Sequence, residues 1–251
     1  MQMRRIPTGI PGLDNQIGGG FPVNSTIIML SEASNYTELV LQQFIYQALI
    51  DGSPALYISI SRPPEVVMES MRLQGMDVDR YAKSRRLIFV DLCSKVDFAF
   101  EEEALPTVEE NIVSIHNIDS PEMVMMAINA GLGTLGDLTN IRMVVDSTPE
   151  ILAGLDMIEF LRFWRMVSNN LSQYDMNILY NYPAGIKDEY FKAAAHHADV
   201  ILRLVSTMEG QKMETYLYID KIRFTPMRAS SRFQLHLEEG RAKILNYNKI
   251  R

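Results

Sequence analysis

The segment Thr26–Leu49, TIIMLSEASNYTELVLQQFIYQAL, decides the fold. Thr26–Leu30 is a short apolar run rich in isoleucine, as a buried strand requires, and from about Tyr36 to Ile50 the apolar residues take up helical spacing. A buried strand running through a tight loop into a helix is the outline of a unit that holds phosphate, because helix-start amides and the helix dipole favour an anion there. The loop here contains neither glycine nor lysine. It is either a phosphate site that has lost its chemistry or a strand and helix that never had any.

Working outward, similar apolar runs recur at Ala55–Ile60, Leu87–Asp91, Arg142–Asp146, Asn177–Asn181 and Val200–Leu204. Helical patterns lie between them at Tyr36–Ile50, Pro64–Gln74, Pro121–Leu138, Glu150–Leu171 and Lys187–His196, several with proline or acidic residues at their starts. This alternation predicts an α/β fold, a doubly wound and mainly parallel sheet flanked by helices. After Leu204, METYLYIDKIRF, RFQLHLEE and RAKILNYN alternate apolar and polar residues, which predicts a C-terminal antiparallel meander. No linker or repeat interrupts the pattern, so residues 1–251 read as one domain: a leading segment 1–25, a core 26–205 and the meander 206–251.

The 251 residues carry a formal net charge of −7, which argues against broad binding to nucleic acid or an anionic membrane. The lone Cys93 provides neither a disulfide nor a cysteine-rich metal site, and no run reaches the roughly 18 apolar residues of a membrane span. A cytoplasmic protein is expected.

Arg5–Ser25, RIPTGIPGLDNQIGGGFPVNS, resembles the opening of the KaiC and RadA-like branch of the RecA superfamily of P-loop ATPases. ALYISISRPPEVVMESMRLQGMDVDRY, IRMVVDSTPEIL and HHADVILRL resemble, in order, the family's second strand and helix, its Walker B strand and its ADGVIEL segment. The resemblance therefore extends over nearly the whole chain and implies the RecA-like fold.

The same resemblance places Ser31–Leu39 on the family's phosphate loop, usually GEPGTGKTT. Glycine positions then hold Ser31, Ser34 and Tyr36, the lysine position holds Thr37 and the magnesium-binding hydroxyl position holds Glu38. A working loop needs glycines to close backbone N–H groups around phosphate, and a lysine to neutralise it. The pair of glutamates that ends the family's second strand is replaced by Ser61 and Arg62, so no general base is expected there. Asp146 matches the Walker B aspartate, and is expected to bond to loop N–H groups instead. Ser31, Ser34, Asn35 and Thr37 are expected to satisfy local backbone groups, and Glu38, with Glu32, to set negative charge at the helix start.

Other features carry weaker readings. Asn181 falls where relatives place a polar sensor, and a turn in YNYPAG explains it equally well. His196 and His197 are adjacent and poorly spaced to chelate a metal, Phe100–Asn111 reads as a solvated acidic loop, and Met123, Met125 and Met126 as core filler. Lys221 and Arg223, two apart on a strand, resemble the family's KLRG segment, whose basic residues reach a neighbouring subunit's nucleotide. Arg223, Arg228 and Arg232 offer a local basic surface.

The expected function is a noncatalytic RecA-fold subunit, structural or regulatory, with no catalytic residues, no cofactor and no metal. Its partners would be protein: copies of itself, or an active RecA/KaiC-like ATPase in a mixed assembly. The alternatives are a divergent ATP-binding ATPase and a DNA-binding accessory protein like the RadA paralogues.

Overall fold

The computed structural model describes residues 4–32, 34–94, 105–115, 120–151, 155–171, 174–186, 188–225 and 232–244. In chain order the elements are β1 (Arg5–Ile6), α1 (Leu13–Gln16), β2 (Phe21–Pro22), β3 (Thr26–Ser31), α2 (Asn35–Ile50), β4 (Ala55–Ser59), α3 (Pro64–Leu73), α4 (Asp79–Lys83), β5 (Leu87–Asp91), β6 (Thr107–Glu109), β7 (Ile112–Ser114), α5 (Pro121–Thr134), β8 (Ile141–Val145), α6 (Thr148–Ile151), α7 (Met157–Leu171), β9 (Met176–Pro183), α8 (Asp188–His197), β10 (Val200–Glu209), β11 (Lys212–Ile222), β12 (Arg232–Glu238) and β13 (Arg241–Ile244).

Eleven strands form one sheet in the order β13-β12-β11-β10-β3-β9-β8-β4-β5-β7-β6. From β10 to β7 neighbouring strands are parallel, whereas β10 to β13 form an antiparallel meander and β6 turns back on β7. Parallel strands must be covered on both faces, and two apolar clusters do this. One joins α2, α3 and α4 to residues such as Met29, Tyr57 and Leu179. The other joins α5, α7 and α8 to Ile28, Ile58 and Tyr180, the neighbouring positions whose side chains point to the opposite face. The α/β, doubly wound arrangement with a C-terminal meander is as the sequence predicts.

Helix α2 is clasped from outside as well. Gln43, buried in mid-helix, donates to the carbonyls of Gly9 and Ala242 at 2.8 and 3.0 Å and accepts from Ala242 N–H at 2.6 Å. The leading segment and β13 therefore close over the helix, and a buried amide is tolerated because it is satisfied. Arg142 on β8 completes the clasp with bonds to the carbonyls of Pro7 (2.9 Å) and Phe44 (3.3 Å) and an ion pair with Asp51 (2.8 Å). Burial lowers the pKa of its guanidinium, and the Asp51 carboxylate opposes that shift. Backbone approach in the leading segment is close enough to require glycine: a Cβ on Gly20 (φ +113°) would lie 1.9 Å from the carbonyl oxygen of Ile6.

Several expectations fail for identifiable reasons. The single helix over Glu150–Leu171 is two, α6 and α7. Asp156 starts α7 by accepting from the N–H groups of Ile158 and Glu159, while Glu159 accepts from Asp156 N–H, a reciprocal cap. The helix expected to reach Leu138 stops at Thr134, because Leu135 turns extended and inserts into the core. The acidic stretch from Phe100 lies partly outside the described residues, and its remainder contributes edge strand β6 and the buried Asn111. Met125 is buried and Met123 packs on the core, but Met126 is exposed. Among the described residues, no helix is long and apolar enough to cross a membrane.

Candidate functional site

The carboxyl ends of β3, β4, β8 and β9 converge on one cleft of about 400 Å³, bounded on its other side by the first turn of α2. In open α/β sheets ligands bind at this edge. Three of its polar groups form a chain across the sheet. Ser31 at the end of β3 donates its hydroxyl to Asn181 Oδ1 (2.7 Å), and Asn181 Nδ2 donates to the Asp146 carbonyl (2.8 Å). Asn181 is thus buried within β9 and is not a turn former, while Ser31 bonds to a distant strand and not to its own loop.

The Asp146 carboxylate accepts from Ile60 N–H (2.9 Å) and Ser61 N–H (3.2 Å), tying the loop after β8 to the end of β4. Ser34 caps α2 by accepting from Tyr36 N–H, and Thr37 donates its hydroxyl to the Glu32 carbonyl. Asn35 lines the cleft. Glu32 does not face the helix start, because it accepts from Ser206 N–H at 3.0 Å and so joins the loop to β10. Tyr36 turns away to pack on the core below the meander. Burial raises its pKa, partly offset by a backbone hydrogen bond at Leu237.

Glu38 and Arg62 face each other across this cleft. Glu38 Oε1 accepts from Gln42 (2.8 Å), and Glu38 Oε2 lies 3.5 Å from Arg62 Nη1. Ser61 lies beside Arg62 in the lining, and Tyr57 forms part of the inner wall although only 1% exposed. Burial pushes its phenol pKa well up, the charges of Asp146 and Glu38 push it further, and Arg62 opposes them. Tyr57 stood in the sequence as one more aromatic in a strand, and nothing local marked it as a cleft residue.

Lys221 and Arg223 lie at the far end of the sheet, at the amino-terminal edge of the parallel strands. The Lys221 ammonium approaches the Ala195 and His196 carbonyls at the end of α8 at 3.4 and 3.5 Å, where the helix dipole favours a cation. Arg223 pairs with Asp199 at 2.9 Å and stacks on Phe224. It lines a second cleft, of about 490 Å³, with Arg165, His197 and Trp164. Arg232 pairs with Glu209 and stacks on Tyr216, and Arg228 lies outside the described residues. Among the described residues no group of three His, Cys, Asp or Glu could hold a metal ion.

The family model described as ATPase: KaiC matches residues 6–248. The chain belongs to the KaiC ATPase family. A UPF0273 protein of Thermotoga maritima is 30% identical over 89 residues, which are 36% of this chain and 37% of the relative. The circadian clock protein KaiC3 of a Synechocystis species is 25% identical over 89 residues, 36% of this chain and 18% of that protein. The aligned stretches thus span well under half of these curated relatives. A KaiC-like protein of Pyrococcus horikoshii has the same fold, with a TM-score of 0.73 at 18% identity over 98% of this chain and all of the other. The chain therefore has a KaiC-like, RecA-type P-loop fold.

Proposed function

We propose that this KaiC-family protein is a noncatalytic member, acting as a structural or regulatory subunit in an assembly with copies of itself or with an active relative. The observation that carries this reading is the Glu38–Arg62 pair across the phosphate-side cleft. A triphosphate needs cations and open amides at the helix start, and here a carboxylate stands there with Ser34 already capping the helix. The residues therefore do not fit the nucleotide. The end of β4 offers no base either, since Ser61 and Arg62 hold no carboxylate and both Asp146 oxygens lie close to main-chain N–H groups.

The second cleft supports the assembly half of the reading. Lys221 leans on the end of α8, and Arg223, paired with Asp199, lines the second cleft with Arg165 and His197 beside it. Side chains arranged in this way suit an anionic group on a neighbouring subunit. Phosphate-release assays with magnesium and ATP, combined with native mass spectrometry, test both halves. Background turnover with a defined oligomer supports the proposal, and turnover abolished by a change in the first cleft refutes it.

A further inference from the structure

The first cleft is closed to phosphate on the reading above, yet it remains a cavity with an unused buried polar group. Its described lining carries three carboxylates, Glu32, Glu38 and Asp146, against one guanidinium, Arg62. That balance alone is only acidic. A second, independent observation is Tyr57: its side chain is 99% buried yet lines the cavity, and its phenol sits among the charges of Asp146, Glu38 and Arg62 with no hydrogen bond to any of them. A hydroxyl that no side chain or main-chain group holds and that reaches only a cavity takes its partner from whatever fills that cavity. Its oxygen lies in the negative field of Asp146 and Glu38. Such an oxygen accepts from a cationic N–H donor more readily than it tolerates another anion.

The carboxylates are not equivalent. Asp146 is held by main-chain donors and Glu32 by Ser206, so they contribute mainly charge. Glu38 has one oxygen committed to Gln42 and the other only loosely engaged by Arg62, which is more than half exposed. An incoming ammonium displaces Arg62 at little cost, because an exposed pair at that separation is weak. Leu41 and Val67 give the same cavity apolar wall, suited to methylene groups. The described carboxylates do not converge as a metal site would require, which favours an organic cation.

We propose that this cleft binds a short alkyldiamine or polyamine, one ammonium group taking the Glu38 carboxylate and the Tyr57 hydroxyl, the chain lying on Leu41 and Val67. The proposal rests on the reading that the site has lost its affinity for phosphate. Titration calorimetry and thermal unfolding of the full chain with putrescine, spermidine and Mg-ATP test it, with sodium chloride at matched ionic strength as control. Saturable diamine or polyamine binding is expected, weakened about tenfold or more by Glu38→Gln and by Tyr57→Phe. The Tyr57→Phe variant removes only a hydroxyl, and circular dichroism establishes that both variants fold. No amine binding, an equal effect of sodium chloride, or binding that both variants retain in full overturns the inference. If neither the amines nor ATP binds, the amine proposal fails while the noncatalytic reading stands; micromolar ATP binding overturns both.

Discussion

Glu38 in the first turn of α2 faces Arg62 just beyond β4 with 3.5 Å between Oε2 and Nη1, so the two sides of the cleft carry opposite charges. In the family pattern the α2 side carries a lysine and a hydroxyl and the β4 side carries carboxylates. On the proposed reading the signs are exchanged here, and Glu38 and Arg62 offset each other. Reversing it at one position should therefore cost stability. Glu38→Lys puts a cation at a helix start and opposite Arg62, and should lower unfolding free energy by about 1 kcal/mol in a denaturant titration. Unchanged or raised stability would reject a stabilising role for the Glu38 charge.

Asp146 bonds to the N–H groups of Ile60 and Ser61, which makes it a strut between β8 and β4. Asp146→Asn keeps the shape but replaces one acceptor oxygen with a donor. A loss of about 1–3 kcal/mol is expected, read from the unfolding midpoint. A variant as stable as the parent would show that the strut carries no load.

Arg142 ties the leading segment to α2 through two carbonyls and Asp51. Arg142→Met leaves those carbonyls unpaired while Asp51 keeps partial access to water. Destabilisation of roughly 2 kcal/mol or more is expected, with faster amide exchange around Pro7 and Phe44 than elsewhere. Uniform exchange would contradict the clasp.

Gly20 and Gly75 both have positive φ but differ in space, since a Cβ on Gly20 meets the Ile6 carbonyl whereas one on Gly75 meets nothing within 4 Å. Gly20→Ala should cost more than about 2 kcal/mol and Gly75→Ala about 1 kcal/mol. Equal losses in thermal unfolding would remove the steric part of this account.

The parallel core was legible because its strands are continuous apolar runs separated by helical patterns, and the meander because alternation replaced them. The break between α6 and α7 was missed although its signal was present: Asp156 and Glu159 have the spacing of a reciprocal cap, hidden inside an unbroken apolar periodicity. Strand β7 is too short for periodicity to reveal. In the site, the residues of the loop after β3 could be read one by one. Their partners were not, because Ser31–Asn181, Glu32–Ser206 and Glu38–Arg62 join elements distant in sequence. Tyr57 was invisible for the same reason, since a cavity is made by several elements and no single one encodes it.

The central claim is that the cleft between α2 and the end of β4 has exchanged phosphate binding for an internal ion pair. Titration calorimetry of the full chain with Mg-ATP tests it most directly. The account predicts no saturable heat at ligand concentrations up to about 1 mM. A micromolar dissociation constant that is lost when Thr37 or Arg62 is changed to alanine would contradict it.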